Sequence, residues 1–426
     1  MDRKVLLLTI GSYGDVLPYV ALGIKLQEKG YPTCIATHLE FKPLIEEAGL
    51  QYEELAGKGE DLIRFCVKQD SLSALSSFPL YFRLITVWFH QILALVPQFS
   101  LVLSVPSIPG YPAFHVCQKY QIPFQILFTM PWTRTRAFPH PFLRTTGESG
   151  PVHSLTYPLI ERTIWTFVSP LVQQFRRSLG LQEVQYDCLL QAKVPFIYGF
   201  SSLVVDRPGD WPDQVKMTGF WNIGTSLPSP PVEPDLETFL AAGDQPIYIG
   251  FGSITGIDRP KAFFRLILLA VEKTGVRAII APNSLVDRDV LEDLIDQIDL
   301  AENVLISPYC PHTWLFPRVA AVCHHGGAGT TYAGLAAGKP TIIISFFGDQ
   351  YFWGTRIVEK QVGYHFTSSD LTKNSGNPPD PITRLSQAFT SVTTDLVLRD
   401  RAKALGDELK REDGVGQAVD LIRDLS

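Results

Sequence analysis

The chain has 426 residues, more than a single hydrophobic core accommodates, so two domains are expected. Hydrophobic residues make up 46% and charged residues 19%, which excludes a disordered chain and marks a globular one with a generous apolar interior. A net charge of −6 and the lack of a long basic run argue against nucleic acid as a partner.

In chain order, Val5 to Ile10 is an apolar run broken only by Thr9 and stopped by Gly11. It is short for a secretory signal and fits a first strand buried on both faces of a parallel sheet. Gly11 to Asp15 reads as a turn. Val16 to Lys29 then carries apolar residues at helical spacing and closes at Gly30, with Gly23 allowing close packing on the sheet. Thr33 to Thr37 predicts a second strand and Phe41 to Ala48 a second helix, a βαβ rhythm. From about 58 to 190 the rhythm is lost in aromatics and prolines, and inserted helices are the simplest reading. No stretch has the apolar length of a membrane span; the nearest, Phe78 to Val96, is interrupted by Arg83, His90 and Gln91. The six cysteines are scattered without a CxxC pair, which predicts free thiols in a reducing compartment such as the cytoplasm.

Four prolines between Ser226 and Pro234 mark a stiff linker, after which the rhythm restarts. Strands are expected at Ile247 to Phe251, Arg277 to Ala281, Val304 to Ile306, Val319 to Cys323 and Thr341 to Ser345. Helices are expected at Ala262 to Lys273 and from Pro381 onward. The predicted division is a first domain at 1–225 with a helical insertion, a linker at 226–243, a second domain at 244–410 and a terminal helix at 411–426 packing back on the first. The predicted fold class is α/β, two Rossmann-like domains with a cleft between them.

The most informative segment is His324-His325-Gly326-Gly327-Ala328-Gly329-Thr330-Thr331, followed by Gly348-Asp349-Gln350. Ligands of an open parallel sheet bind beyond the carboxyl ends of its strands. The glycines let backbone approach a ligand, and the N–H groups of the helix that starts there favour an anion. An imidazole adds a hydrogen bond to a phosphate oxygen. Ser253, after Phe251-Gly252, supplies a hydroxyl within reach of the same phosphate, and equally a helix cap. Asp349 and Gln350 together accept from and donate to neighbouring hydroxyls, as a hexose requires; alone, Asp349 reads as a cap. Tyr309-Cys310-Pro311-His312 follows another strand end, where Tyr309 stacks on a base and atoms near Cys310 read its edge.

The stretch from Tyr309 to Arg356 resembles the donor-binding signature of the family 1 glycosyltransferases of GT-B fold, which use UDP-sugars. HHGGAGTT, FFGDQYFW and PHTWLF resemble the sterol glucosyltransferases within it. So do Gly11-Ser12-Tyr13-Gly14-Asp15-Val16-Leu17-Pro18-Tyr19, the segment Thr129 to Thr135, and Asp210-Trp211-Pro212. The resemblance implies that His324 and the backbone of Gly327, Ala328, Gly329 and Thr330 hold the diphosphate. It puts Tyr309 in place of a uracil-stacking tryptophan and gives the sugar hydroxyls to Asp349 and Gln350. It also implies a first domain that binds the acceptor, a second that binds UDP-glucose, and no cofactor beyond that donor.

Glycosyl transfer to a hydroxyl needs a base near an oxocarbenium-like centre. Asp15 stands in the first strand-to-helix turn, where many plant members of the wider family have a histidine leaning on a distant aspartate. Leu101 to Pro106, where that aspartate would be expected, has no acid, and a carboxylate that is ionised at neutral pH needs none. An N-cap role at Asp15 is the competing reading. Metal is not needed: Asp287-Arg288-Asp289 matches a DxD pattern but reads as part of a solvated helix face. The aromatic runs Phe78 to Val96 and Phe124 to Phe142 predict an apolar acceptor wall. Leu80, Phe82, Leu84, Val87 and Trp88, with Arg83 and Lys68, predict a peripheral membrane patch. A sterol-like lipophilic acceptor is the favoured expectation; soluble phenolic, flavonoid, polyketide or terpenoid acceptors, and a UDP-sugar epimerase or hydrolase of the same fold, are the alternatives.

Overall fold

The computed structural model describes residues 3–59, 71–106, 110–143, 150–222, 224, 232–252, 254, 259–282, 286–307, 311–372 and 379–425, with 71–82 and 423–425 as backbone only. Two compact units divide the chain: Met1–Leu227 with Asp413–Ser426, and Pro228–Glu412. The terminal segment therefore belongs with the first unit.

The first unit is built on strands β1 (Val5–Leu8), β2 (Thr33–Thr37), β3 (Gln51–Glu54), β4 (Leu101–Ser104), β5 (Phe124–Phe128), β6 (Phe196–Tyr198) and β7 (Val215–Met217). They form one parallel sheet in the order β3-β2-β1-β4-β5-β6-β7. Its helices are α1 (Tyr13–Glu28), α2 (Lys42–Glu47), α3 (Ser71–Leu95), α4 (Gly110–Tyr120), α5 (Pro151–Ser178) and α6 (Cys188–Gln191). Every residue of β1 is buried, which is why it reads as an unbroken apolar run; each such leucine contributes about 1.5–3 kcal/mol on burial. Gly23 lets α1 lie close on its neighbours: a Cβ there would come within 2.8 Å of Leu50 Cδ1.

Two expectations are corrected in this unit. The stretch from 58 to 190 keeps the βα rhythm, because β4 and β5 lie inside it at the centre of the sheet. They are apolar runs of four and five residues, which periodicity alone cannot separate from helix. The predicted membrane patch is not one face of α3. Trp88 is fully buried and its Nε1 donates to the Ala56 carbonyl at 2.8 Å, while Arg83 and Val87 are exposed. The side chains of Leu80 and Phe82, and Lys68 altogether, lie outside the described residues.

In the second unit α7 (Pro234–Ala241) occupies the latter half of the predicted linker. Strands β8 (Ile247–Gly250), β9 (Ala278–Ala281), β10 (Val304–Ile306), β11 (Ala321–His324), β12 (Thr341–Ser345) and β13 (Gly363–Thr367) follow. They form a second parallel sheet, β10-β9-β8-β11-β12-β13. Among them run α8 (Pro260–Thr274), α9 (Arg288–Ile298), α10 (His312–Leu315), α11 (Ala328–Ala336), α12 (Gln350–Glu359), α13 (Ser368–Thr372), α14 (Pro381–Thr394) and α15 (Leu396–Leu409). One core joins Ile249, Phe251, Phe263, Phe264 and Ile344 with Phe389 of α14. The last helix, α16 (Gly414–Leu425), returns to the first unit, where Ala418, Val419 and Ile422 complete the core around α1. No described helix is long and apolar enough to cross a membrane.

Candidate active site

In the first unit the chain order of the strands reverses between β1 and β4, the position where open α/β sheets bind ligands. Asp15 lies there, but not in a loop. Helix α1 begins at Tyr13, three residues before the predicted start, with Ser12 as N-cap and Asp15 as the third helical residue. The two residues form a capping box, and Asp15 Oδ2 accepts from Ser12 N at 2.7 Å and Ser12 Oγ at 2.8 Å. Gly11 has φ +126°, and a Cβ on it would fall 2.4 Å from Asp15 Oδ2, so only glycine leaves room for the carboxylate. Asp15 thus has an orienting partner in Ser12, contrary to expectation. Burial raises its pKa above the ordinary aspartate value, opposed by the two Ser12 hydrogen bonds. Tyr19, one turn on, donates to the Leu127 carbonyl at 2.5 Å and ties α1 to the end of β5.

Beyond β5 an aromatic chain begins. Phe128 meets Trp132 edge-on at 5.9 Å, and Trp132 meets His140 at 4.9 Å and Phe142 at 5.8 Å. The loop carrying Trp132 is held from a distant segment. Asp210 accepts from Thr135 Oγ1 at 2.6 Å and Arg136 N at 2.8 Å, and Trp211 Nε1 donates to the Thr133 carbonyl at 3.1 Å. The Tyr198 hydroxyl accepts from the backbone of Trp132 and Thr133 at 3.0 and 2.7 Å. The two motifs singled out at 129–135 and 210–212 are therefore one structural device. Tyr198 has no sequence signal of its own, because its role is set by β6 lying beside β5.

In the second unit the ends of β8, β11 and β12 carry the predicted donor residues. Helix α11 starts at Ala328 with Gly327 as N-cap and no side-chain cap, so its first N–H groups, on Ala328, Gly329 and Thr330, are offered outward. A Cβ on Gly329 would meet nothing within 4 Å, which shows the open side of the loop. Thr331 Oγ1 fixes the turn from below by donating to the Gly327 carbonyl at 2.9 Å.

The two histidines have different positions. His324 is 0% exposed, and its Nδ1 accepts the Gly326 N–H at 3.0 Å. It braces the loop through Nδ1, while its Nε2 is buried and has no hydrogen-bond partner among the described residues. The ring of His325 sits between two glycines: a Cβ on Gly327 would be 2.6 Å from its Nε2, and one on Gly252 would be 3.0 Å from its Cε1. His325 Nδ1 is buried and has no hydrogen-bond partner among the described residues. Burial, and then the neighbouring His312, push the His325 pKa down to about 4. Burial likewise takes His312 down to about 4, and His324 lies well below the usual histidine range from burial, then His325 and His312. All three imidazoles are neutral at physiological pH.

His312 opens α10 and stacks on Phe316 at 4.2 Å, with the Tyr248 hydroxyl 3.5 Å from its Nε2. Tyr248 carries no motif in the sequence. Its reach follows from Gly250 two residues on, where a Cβ would come 2.2 Å from the Tyr248 hydroxyl. Ser253, Tyr309 and Cys310 lie outside the described residues.

Asp349 holds the N-cap position of α12 but does not cap it. Its Oδ2 accepts from Trp353 Nε1 at 2.9 Å, one turn on. Gln350 is 4% exposed, and its Oε1 accepts from Phe346 N at 2.8 Å and Phe347 N at 3.2 Å. Its carbonyl is thus committed to the loop. Gly326 joins this segment to the histidine loop: its φ is +95°, and a Cβ there would collide with Ile343 Cγ2 at 2.8 Å and crowd the Gln350 carbonyl at 3.1 Å. The DxD segment is a helix start. Asp287 holds the N-cap position of α9, Asp289 is exposed, and Arg288 pairs with Glu292 at 2.8 Å.

The family model for the glycosyltransferase family 28 N-terminal domain matches residues 5–139, and that for the erythromycin biosynthesis protein CIII-like C-terminal domain matches 285–414. The sterol 3-beta-glucosyltransferase of Yarrowia lipolytica is 37% identical over 98% of this chain, and that of Penicillium rubens 36% over 99%. The chain spans 28% and 30% of those relatives' lengths. Among solved structures, the calicheamicin glycosyltransferase CalG4 superposes with a TM-score of 0.67 at 15% identity, covering 100% of this chain and 98% of that one. The kitacinnamycin glycosyltransferase gives 0.70 at 14%, covering 99% of each chain. Both strand ends, both sheet orders and these likenesses converge: the chain belongs to the glycosyltransferases of GT-B fold, within the family of the sterol 3-beta-glucosyltransferases.

Proposed function

We propose that the protein transfers glucose from UDP-glucose to the hydroxyl of a sterol or similar lipophilic acceptor, with inversion at the anomeric carbon. The observation that carries this reading is the loop at the end of β11: an uncapped helix start with outward N–H groups, beside a buried and unpartnered imidazole nitrogen of His325. That set suits a diphosphate, an anion with several acceptor oxygens. A neutral His325 donates one hydrogen bond to it, and the first N–H groups of α11 donate others.

Asp349 and Gln350 then serve the sugar. The carboxylate accepts from hexose hydroxyls, and the Gln350 amide nitrogen donates, since its oxygen is engaged by the loop. Asp15 takes the proton of the acceptor hydroxyl as that oxygen forms its bond to the anomeric carbon and the bond from that carbon to the phosphate oxygen breaks; UDP leaves with the electron pair. Ser12 aims the carboxylate. The chain from Phe128 through Trp132 to Phe142 supplies an apolar, aromatic surface for a fused-ring acceptor. The names of the relatives support the sterol, as does the aromatic character of this loop.

UDP release from UDP-glucose, measured with ergosterol, a steroid hormone, a flavonoid and a simple phenol, tests the reading. Turnover with the sterols is expected. Turnover of phenols with none of any sterol would move the acceptor to the soluble class, and conversion of UDP-glucose without acceptor would point to an epimerase or hydrolase.

A further inference from the structure

At the opposite end of the second sheet from the histidine loop lies a pocket of about 350 Å³. Its floor is small: Ala320 precedes β11, and Ala337, Gly338 and Pro340 lead from α11 into β12. The backbone turn at Gly338 rests directly on α15, where a Cβ on Gly406 would come within 2.6 Å of Gly338 Cα. No side chain from that contact fills the hollow.

Its walls are cationic. Lys339, Arg399, Lys403 and Lys410 line it with only Asp400 and Asp407 against them, a local excess of positive charge on a chain of net charge −6. Lys403 and Lys410 share Asp407, at 3.1 and 3.9 Å. Burial holds the Lys339 ammonium below the usual lysine range, and repulsion from Arg399 and Lys410 adds to it. Lys339 and Arg399 have no carboxylate partner among the described residues. Beside this charge stand two apolar side chains in water, Leu396 at 68% and Val397 at 58% exposure, at the start of α15.

We propose that this pocket binds the phosphate of an anionic lipid headgroup, with Leu396 and Val397 entering the bilayer interface beside it. Uncompensated cations around a hollow supply the attraction for phosphate, and the adjoining exposed aliphatic pair selects a phosphate presented at a membrane over one free in solution. The site lies at the amino ends of the strands, so the proposal stands apart from the catalytic reading and is tested without turnover.

The experiment is co-sedimentation of the full chain with phosphatidylcholine vesicles and with the same vesicles carrying 20 mol% phosphatidic acid. Binding only to the second is expected. The double variant Lys339→Ala/Arg399→Ala is expected to partition about 25-fold less, at about five-fold per basic residue. Leu396→Ser/Val397→Ser is expected to partition several-fold less. Arg399→Ala alone, an exposed substitution, gives a several-fold loss and covers the case in which the double variant fails to fold. Equal partitioning of wild type and the Arg399 variant overturns the proposal. So does Lys339-dependent binding of inorganic phosphate, by calorimetry, from a protein that ignores both vesicles, since the pocket would then serve a soluble phosphate.

Discussion

Asp15→Asn removes a charge while leaving the fold of the first turn intact. The amide oxygen of asparagine replaces Oδ2 as acceptor for the Ser12 N–H and Oγ, now 2.7 and 2.8 Å away, so the capping box survives. What is lost is the ability to take a proton, worth about 10²–10⁴ in rate, or about 3–5 kcal/mol of barrier. Stability should move the other way. Burial raises the folded pKa of Asp15, so between the ordinary aspartate value and the folded one the native state binds more protons than the unfolded chain. Stability therefore falls as pH rises through that window, and an uncharged asparagine escapes the penalty. The expected outcome is kcat lowered at least 100-fold, a melting temperature at pH 7 equal to or above wild type, and UDP affinity unchanged because the residues proposed to hold the diphosphate stand on the other sheet. Turnover is read by UDP release, affinity by calorimetry and stability by circular dichroism. The wild-type rate should also fall as pH drops through the raised pKa, and the variant should lose that limb. A variant keeping more than a tenth of wild-type kcat, or the same acid limb, would remove Asp15 from the chemistry.

The adjacent histidines should separate cleanly. His324→Ala leaves the buried Gly326 N–H without its acceptor and should cost about 1–3 kcal/mol of stability, whereas His325→Ala should leave the melting temperature near wild type and weaken UDP binding about ten-fold or more. Calorimetry showing weakened UDP binding at unchanged stability for His324→Ala instead would reverse the two roles. Trp353→Phe deletes the indole N–H that holds Asp349 Oδ2; UDP-glucose affinity should fall about five- to ten-fold, with UDP affinity unchanged, and equal losses for both ligands would mean that Asp349 does not serve the sugar.

The loops of the proposed donor site were legible in the sequence because their geometry is local. The residues from His324 to Thr331 are a strand end, a glycine turn and a helix start in one run, and the same holds from Ile344 to Gln350. Strand and helix periods fall on either side of each loop, so the position of the loop at a carboxyl edge follows from the pattern alone. The division of labour inside it does not. How deeply His324 is buried depends on the sheet, because β11 lies between β8 and β12.

The first unit was less legible where it matters for the acceptor. Leu101–Ser104 and Phe124–Phe128 are runs too short to declare themselves, and only pairing with β1 and β6 makes them strands. The hold of Asp210 on Thr135 spans 75 residues, beyond any local pattern. By itself the sequence determined the two α/β units, the glycine loop that opens a helix after β11 and the acid after the first strand, because each is encoded by neighbours in the chain. Only tertiary structure decided the raised pKa of Asp15, the burial of His324 and the cationic hollow at 339–410. Burial and charge repulsion depend on what distant segments bring alongside a residue, and sequence spacing carries no record of that.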